Sequence, residues 1–222
     1  MPTPEIELLK SRSLPMLIEE EIQRVILSGQ YAPGDRINEK ELTLRFGTSR
    51  GPIREALRSL ESSGLIEQIP NRGVFVRRLT PEQAAQIYDV RAFLFALAGR
   101  LLALRASEAE IATLRGFVAT MDEAIAADDT ERYLRENFAL HEFIVAHAAN
   151  PVLASQYLSL IKQLQLYRAR NLMLVDSMQV SNREHHEMVE AIAARDPDRA
   201  QAAHMAHVMS AKHRLMANAG LS

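Results

Sequence analysis

Residues 38–64, NEKELTLRFGTSRGPIREALRSLESSG, are the stretch on which the fold turns. A short helix is predicted over 39–46, capped by Asn38 with Glu41 three residues on. Gly47 ends it, because glycine takes the left-handed stop conformation at little cost. After Thr48 a second helix is predicted from Ser49 to about Ser63. Ile53, Leu57 and Leu60 follow the i, i+4, i+7 rhythm of one buried stripe. Arg50 and Arg54 lie one turn apart on the other side, with Arg58 behind them. Two helices joined by a tight glycine turn, the second opening on cations, suit the DNA major groove. Thr48 and Ser49 add hydroxyls fit for phosphate contact. A solvated helix face is the plainer reading of any charge run. The almost purely cationic start of this helix speaks against it.

The charge around this unit is uneven. The chain has 222 residues and a net charge of −2, which argues against a general nucleic-acid binder. Yet residues 36–78 hold nine Lys/Arg against five Asp/Glu, while all seven histidines fall within 141–213. A basic head on an acidic body suits specific, salt-sensitive DNA binding. The length allows two domains and a sizeable core, and 47% hydrophobic residues indicate a globular chain. The absence of cysteine excludes disulfides and thiolate metal sites and fits a reducing compartment. No apolar run reaches membrane-spanning length and the N-terminus lacks a signal-peptide pattern, so a cytoplasmic protein without a membrane partner is expected.

Outward from the two-helix unit, residues 1–12 read as a loose arm whose Lys10 and Arg12 lie within reach of phosphate. A helix is predicted over 14–28, with Ile18, Ile22, Val25 and Ile26 buried. On the other side, 66–69 and 74–76 read as two strands joined by Pro70-Asn71-Arg72-Gly73, a wing with Arg72 at its tip. A solvated turn residue is the alternative for Arg72. Thr80-Pro81-Glu82-Gln83 starts a new helix and sets a boundary, giving domains 1–78 and 79–222. The second domain reads as six helices over 81–105, 108–127, 130–148, 151–171, 182–194 and 197–217, punctuated by capping boxes at Ser107 and Ser181 and by Asn150-Pro151 and Asp196-Pro197. The fold class is mainly α: an N-terminal winged helix-turn-helix and a C-terminal all-α six-helix bundle.

Three of those helices carry histidine on an inward face. Asn137 and His141 are four residues apart beside Leu134, Ile144 and Ala148. His185 aligns with Met188, Val189 and Ile192. His204 and His207 sit among Ala200, Ala203, Val208 and Ala211. Taken singly, each histidine is an interior or surface residue with its own hydrogen bonds. Together, three helices of one bundle can bring imidazoles to one interior point, as a divalent metal site requires. His147, His186 and His213 read as surface residues.

The run PGDRINEKELTLRFGTSRGPIREALRSLESSGLI, with NRGVFV following, resembles the winged helix of the GntR family of bacterial transcription regulators across residues 14–78. By that resemblance Lys40, Ser49, Arg50, Arg54 and the Arg72-Gly73 wing tip stand where the family touches operator DNA, and Glu55 matches a glutamate with a structural role. The helical remainder resembles the FCD domain of the FadR subfamily, in its VanR-like six-helix branch. Its D-x-x-x-H, its histidine in E-H-x-x-[IL]-x-x-A-I and its A-x-x-x-H map onto Asn137 and His141, His185 and His207. The resemblance implies that these hold Zn²⁺ or a similar ion that helps bind a small organic acid. Two departures stand out. Asn137 replaces the family aspartate and weakens the site by one negative charge. Phe95 replaces the glutamate of R-x-x-L-E, leaving Arg91 either to meet an anionic effector or to pair with Asp89 or Glu82.

These readings converge on a homodimeric transcription regulator, a repressor by the commoner family behaviour, that binds operator double-stranded DNA and answers to a small carboxylate metabolite. Two alternatives remain open. One is a constitutive DNA-binding dimer with a lapsed sensor pocket. The other is a metal-dependent enzyme, for which the nearest string, His186-Glu187-Met188-Val189-Glu190, has glutamate where a second histidine is needed.

Overall fold

The computed structural model describes residues 13–168 and 175–218. The arm residues Lys10 and Arg12 lie outside this range, as does the expected end of the 151–171 helix. Nine helices and one small sheet are present among the described residues. The helices are α1 (Leu14–Leu27), α2 (Glu39–Phe46), α3 (Arg50–Ser62), α4 (Pro81–Ala103), α5 (Glu108–Ala126), α6 (Thr130–His147), α7 (Pro151–Arg168), α8 (Val175–Ala193) and α9 (Pro197–Asn218). The strands are β1 (Arg36–Ile37), β2 (Ile66–Ile69) and β3 (Gly73–Val76). Contacts group them into two compact units. The first reaches to Thr80 and takes in the end of α7 from Ile161; the second holds α4 to α6, the start of α7, α8 and α9.

In the first unit, α1 and α3 pack on each other and on the sheet. Ile18, Ile22, Ile53, Leu57 and Leu60 share one buried cluster with Ile37 and Val76. The caps follow the sequence. Asn38 Oδ1 accepts from the Lys40 amide at 3.0 Å while its Nδ2 donates to Glu41 Oε1 at 2.9 Å. Gly47 closes α2 at φ 60°. The wing turns through Asn71 and Gly73, at φ 60° and 109°, both in the left-handed region. The sheet is antiparallel in the order β1-β3-β2, with Ile37 opposite Val74 and Ile66 opposite Val76. The sequence pattern does not foretell β1. Two residues are too few to show alternation, and Ile37 joins the sheet because its side chain completes the core.

In the second unit the capping box at Ser107 forms in both directions, with Glu110 Oε2 accepting from the Ser107 amide at 2.7 Å. Asn150 and Asp196 likewise accept from the amides of Leu153 and Arg199. The box expected at Ser181 does not form, and α8 begins at Val175 instead. The reason is that Asn182 is 2% exposed and turns its side chain inward, away from any helix end. No helix is long and apolar enough to cross a membrane among the described residues.

Helices α4 and α9 run antiparallel, tied by the ion pairs Asp89–Lys212 and Arg100–Asp198 near opposite ends of α4. Their approach depends on Gly99, where a Cβ would fall 2.5 Å from His204 Nδ1. Gly99→Ala is therefore expected to destabilise the chain by about 1–3 kcal/mol through overpacking. Gly116→Ala, with nothing within 4 Å of the added carbon, is expected to be neutral or stabilising. Urea unfolding followed by circular dichroism distinguishes the two.

Candidate metal centre and nucleic-acid interface

The cationic face begins where α3 does. Ser49 occupies the N-cap position, and its hydroxyl makes no capping hydrogen bond, so the helix does not consume it. Burial of Ile53, Leu57 and Leu60 turns Arg50, Arg54 and Arg58 outward, all three exposed. Lys40 is also exposed, and Thr48 is half-buried. Arg54 Nε bonds Glu39 Oε2 at 3.0 Å across the two-helix unit. On the wing, Arg72 is exposed and sits 5.8 Å from the centre of the Phe75 ring, with half-buried Gly73 beside it. Glu55 is exposed and makes no ion pair among the described residues.

Inside the bundle, His141 of α6, His185 of α8 and His207 of α9 come together at 6%, 0% and 4% exposure. One ring nitrogen from each lies within 4.8 Å of the others. His141 Nε2 is 3.4 Å from His185 Nε2 and 3.2 Å from His207 Nε2. The outward-facing nitrogens are all engaged. His207 Nδ1 donates to Glu184 Oε2 at 2.8 Å, His185 Nδ1 meets Asn182 Oδ1 at 3.3 Å, and His141 Nδ1 meets the Tyr157 hydroxyl at 3.0 Å. Asn182 is held in turn by Asp122 at 2.6 Å. Acceptors at two of the three Nδ1 positions put the protons there and leave Nε2 lone pairs facing one another.

Protonation does not resolve that crowding. Burial pushes His185 well below the usual imidazole value, and the neighbouring His207 pushes it further. Burial also lowers His207, against the opposing effect of its hydrogen bond to Glu184. Burial raises Glu184, but hydrogen bonds from His207, Arg214 and Ser210 outweigh it and hold the carboxyl at about 2. His185 and His207 are thus neutral imidazoles, and the Glu184 carboxylate backs the cluster. The donor set fits a dication. Around a tetrahedral Zn²⁺ at about 2.0–2.1 Å, ligand nitrogens stand roughly 3.3 Å apart. Ligating histidines also characteristically give their other N–H to a carboxylate or similar group. Asn137 is half-buried one turn before His141.

Arg91, at 3% exposure, borders the cluster. Its Nε and Nη2 donate to the Tyr157 hydroxyl at 3.3 and 3.2 Å, and Nη2 lies 3.4 Å from His141 Nδ1. The guanidinium carbon is 5.5 Å from the ring centres of both Tyr88 and Tyr157. Nη1 is buried without a hydrogen-bond partner among the described residues. The expected ion pair with Asp89 does not form, because Asp89 takes Lys212. Phe95, fully buried, stacks on the His141 ring at 4.6 Å with 1° between planes.

The remaining histidines separate from the cluster. His204 turns to Gly99 and Phe95, donates from Nδ1 to the Ala200 carbonyl at 2.6 Å, and leaves Nε2 without a partner among the described residues. His186 is exposed on Asp122, and Glu190 pairs with Arg115. His147 is half-buried on Phe143, and His213 is exposed. Tyr157, Asn182 and Glu184 escape the sequence reading. Asn182 and Glu184 look like helix caps there, and nothing in the pattern of α7 marks Tyr157.

Comparison with known proteins agrees with this architecture. Residues 17–76 match the model for bacterial regulatory proteins of the gntR family, and residues 86–210 match the FCD domain. The chain is 31% identical over 189 residues to the uncharacterized HTH-type transcriptional regulator YdhC of Bacillus subtilis, covering 84% of each chain. It is 33% identical over 186 residues to the Nta operon transcriptional regulator of Aminobacter aminovorans, covering 82% of this chain and 85% of that one. In fold it is similar to McbR/YncC of E. coli, with a TM-score of 0.75 at 20% identity over 93% of this chain and 98% of that one.

Burying neutral imidazoles makes stability depend on pH. His204 is held at about 3 by burial, and His185 and His207 also lie below 6.5 in the fold. The unfolded chain takes up protons on all three below about pH 6.5, so the metal-free protein loses stability as pH falls. Each histidine contributes up to about 1.4 kcal/mol per pH unit until its folded value is reached. Denaturant unfolding between about pH 7.5 and 5 measures the slope; unchanged stability across that window would contradict the neutral, buried state.

Proposed function

Because the chain belongs to the gntR family of bacterial transcriptional regulators that carry an FCD domain, we propose that it is an effector-released repressor. In this reading residues 1–78 bind operator DNA and residues 79–222 dimerise and sense a small carboxylate metabolite. Lys40, Thr48, Ser49, Arg50 and Arg54 meet phosphates and base edges in the major groove, and Arg72 with Gly73 meets the backbone beside it. His141, His185 and His207 hold Zn²⁺ or a similar dication, with the Asn137 amide as a weak fourth donor. The ion supplies a positive charge and an open position for a carboxylate oxygen. Arg91 fixes the metabolite's charge from the side, while Phe95 and Tyr157 keep water from it.

One observation carries this reading: the Nε2 atoms of three imidazoles converge on one point beside a buried guanidinium that has no acid partner among the described residues. A buried cation without a counter-ion is costly, and an entering anion relieves that cost. Two reading heads must lie roughly 34 Å apart to share one face of a duplex. An effector that repacks the bundle shifts this spacing, and a coupling of about 1–3 kcal/mol gives a 5- to 150-fold change in operator affinity.

Arg50→Ala and Arg54→Ala are expected to abolish operator binding in a gel shift without altering the melting temperature; tight binding by either variant removes that residue from the interface. Zn²⁺ at about a hundredfold excess over its Kd should stabilise the chain by about 2.7 kcal/mol, and His185→Ala should erase the shift. A thermal-shift screen of small organic acids with Zn²⁺, Ni²⁺ or Mn²⁺ then tests sensing. If no acid moves either the melting temperature or operator affinity, a constitutive binder is the better description.

A further inference from the structure

Helix α5 gives no ring to the histidine cluster, yet one of its side chains reaches the cluster at one remove. His185 is fully buried, and its Nδ1 meets the Asn182 amide oxygen at 3.3 Å, one turn earlier on α8. Asn182 is 2% exposed, and its Nδ2 donates to Oδ1 of Asp122 on α5 at 2.6 Å. The other oxygen, Asp122 Oδ2, lies 2.9 Å from Nε2 of exposed His186. Asp122 is itself exposed, so a surface acid is joined to a buried ring by one amide.

The order of the atoms decides what the ring can do. A carboxylate only accepts, so Asp122 makes Asn182 turn its NH2 toward α5 and its carbonyl toward His185. That carbonyl requires a proton on His185 Nδ1. The Nε2 lone pair is then left on the side shared with His141, whose Nε2 is 3.4 Å away. Without Asp122 the amide is free to turn by half a rotation and present NH2 to Nδ1. The ring proton would then sit on Nε2, inside the cluster, where it excludes a dication. The amide also carries part of the carboxylate's influence inward, as linked hydrogen bonds do, without burying a second charge.

We propose that Asp122 is a positioning residue for the metal-binding ring of His185, acting through Asn182 to fix the tautomer that accepts a dication. The proposal rests on the reading above that His141, His185 and His207 hold such an ion, and it adds the helix that prepares one of them.

The test measures the Zn²⁺ affinity of the full-length chain by competition with a chromophoric chelator. Nitrogen chemical shifts of the metal-free protein report the His185 tautomer beside it. Asp122→Asn keeps an acceptor near Asn182 but no longer dictates the amide's orientation. It is expected to weaken Zn²⁺ binding by roughly tenfold to a hundredfold and to move the His185 proton away from Nδ1. Asn182→Ala should weaken binding to a similar extent. With Asn182→Ala already in place, adding Asp122→Asn should change little, because no amide is left to orient. An equal loss in both backgrounds would mean that Asp122 acts as a plain charge through space, and overturns the relay. The exchange of Asp122→Asn with Asn182→Asp keeps the net charge and places the carboxylate directly on His185 Nδ1. It is expected to bring the affinity back to the wild-type value or above. If Asn182→Ala does not fold, this exchange decides, and an affinity left as low as in Asp122→Asn alone counts against the proposal. Zn²⁺ affinity and tautomer both unmoved by Asp122→Asn overturn it and leave the metal centre standing. A wild type that binds no Zn²⁺ overturns the metal reading, and the tautomer measurement still decides whether Asp122 sets the ring.

Discussion

Three imidazoles share one buried space in the second unit, and much of that unit serves to hold them in place. Each outer nitrogen is tied by a different device: a carboxylate for His207, an amide for His185, a phenol for His141. The carboxylate needs its own support, and Arg214 provides it at 3.2 Å. The amide needs Asp122. The result is a set of rings whose orientation is fixed before any ligand arrives. Such preorganisation removes the ordering cost that binding would otherwise carry. Phe95 belongs to the same arrangement, since its ring lies flat on His141 and touches Tyr157 and His204 as well.

The first unit answers a different demand. There the helix that carries Arg50 and Arg54 must be rigid while its cationic side stays in water. Burying Ile53, Ala56, Leu57 and Leu60 achieves the first, and the glycine stop at Gly47 achieves the second by fixing where α3 begins. The bond from Arg54 to Glu39 adds a cross-tie between the two helices of the unit. Exposed pairs of this kind contribute little to stability, so its value lies in orientation.

Most of this was legible from local chemistry. Asn38, Gly47, Ser107, Asn150 and Asp196 act on the backbone beside them, and such signals survive in any tertiary setting. The histidine faces were legible too, because periodicity assigns a side chain to a helix face without reference to its neighbours. What sequence could not supply were partners brought from far along the chain. Ser181-Asn182-Arg183-Glu184 reads as a cap by spacing, yet Asn182 and Glu184 serve rings beside them and side chains on other helices. Arg91 was left between an anionic effector and a nearby acid, and its hydrogen bonds go to the Tyr157 hydroxyl, 66 residues away. β1 was invisible because its two residues gain meaning only opposite β3.

The cluster is built from nitrogen alone, in a chain with no sulfur nucleophile. Thiolates would have favoured soft ions and would also have made the centre vulnerable to peroxide. Imidazoles accept zinc, nickel, copper or iron with affinities that follow the general order of the transition series. Which ion such a centre would take thus follows the metal supply around it, and no thiol is there to be oxidised.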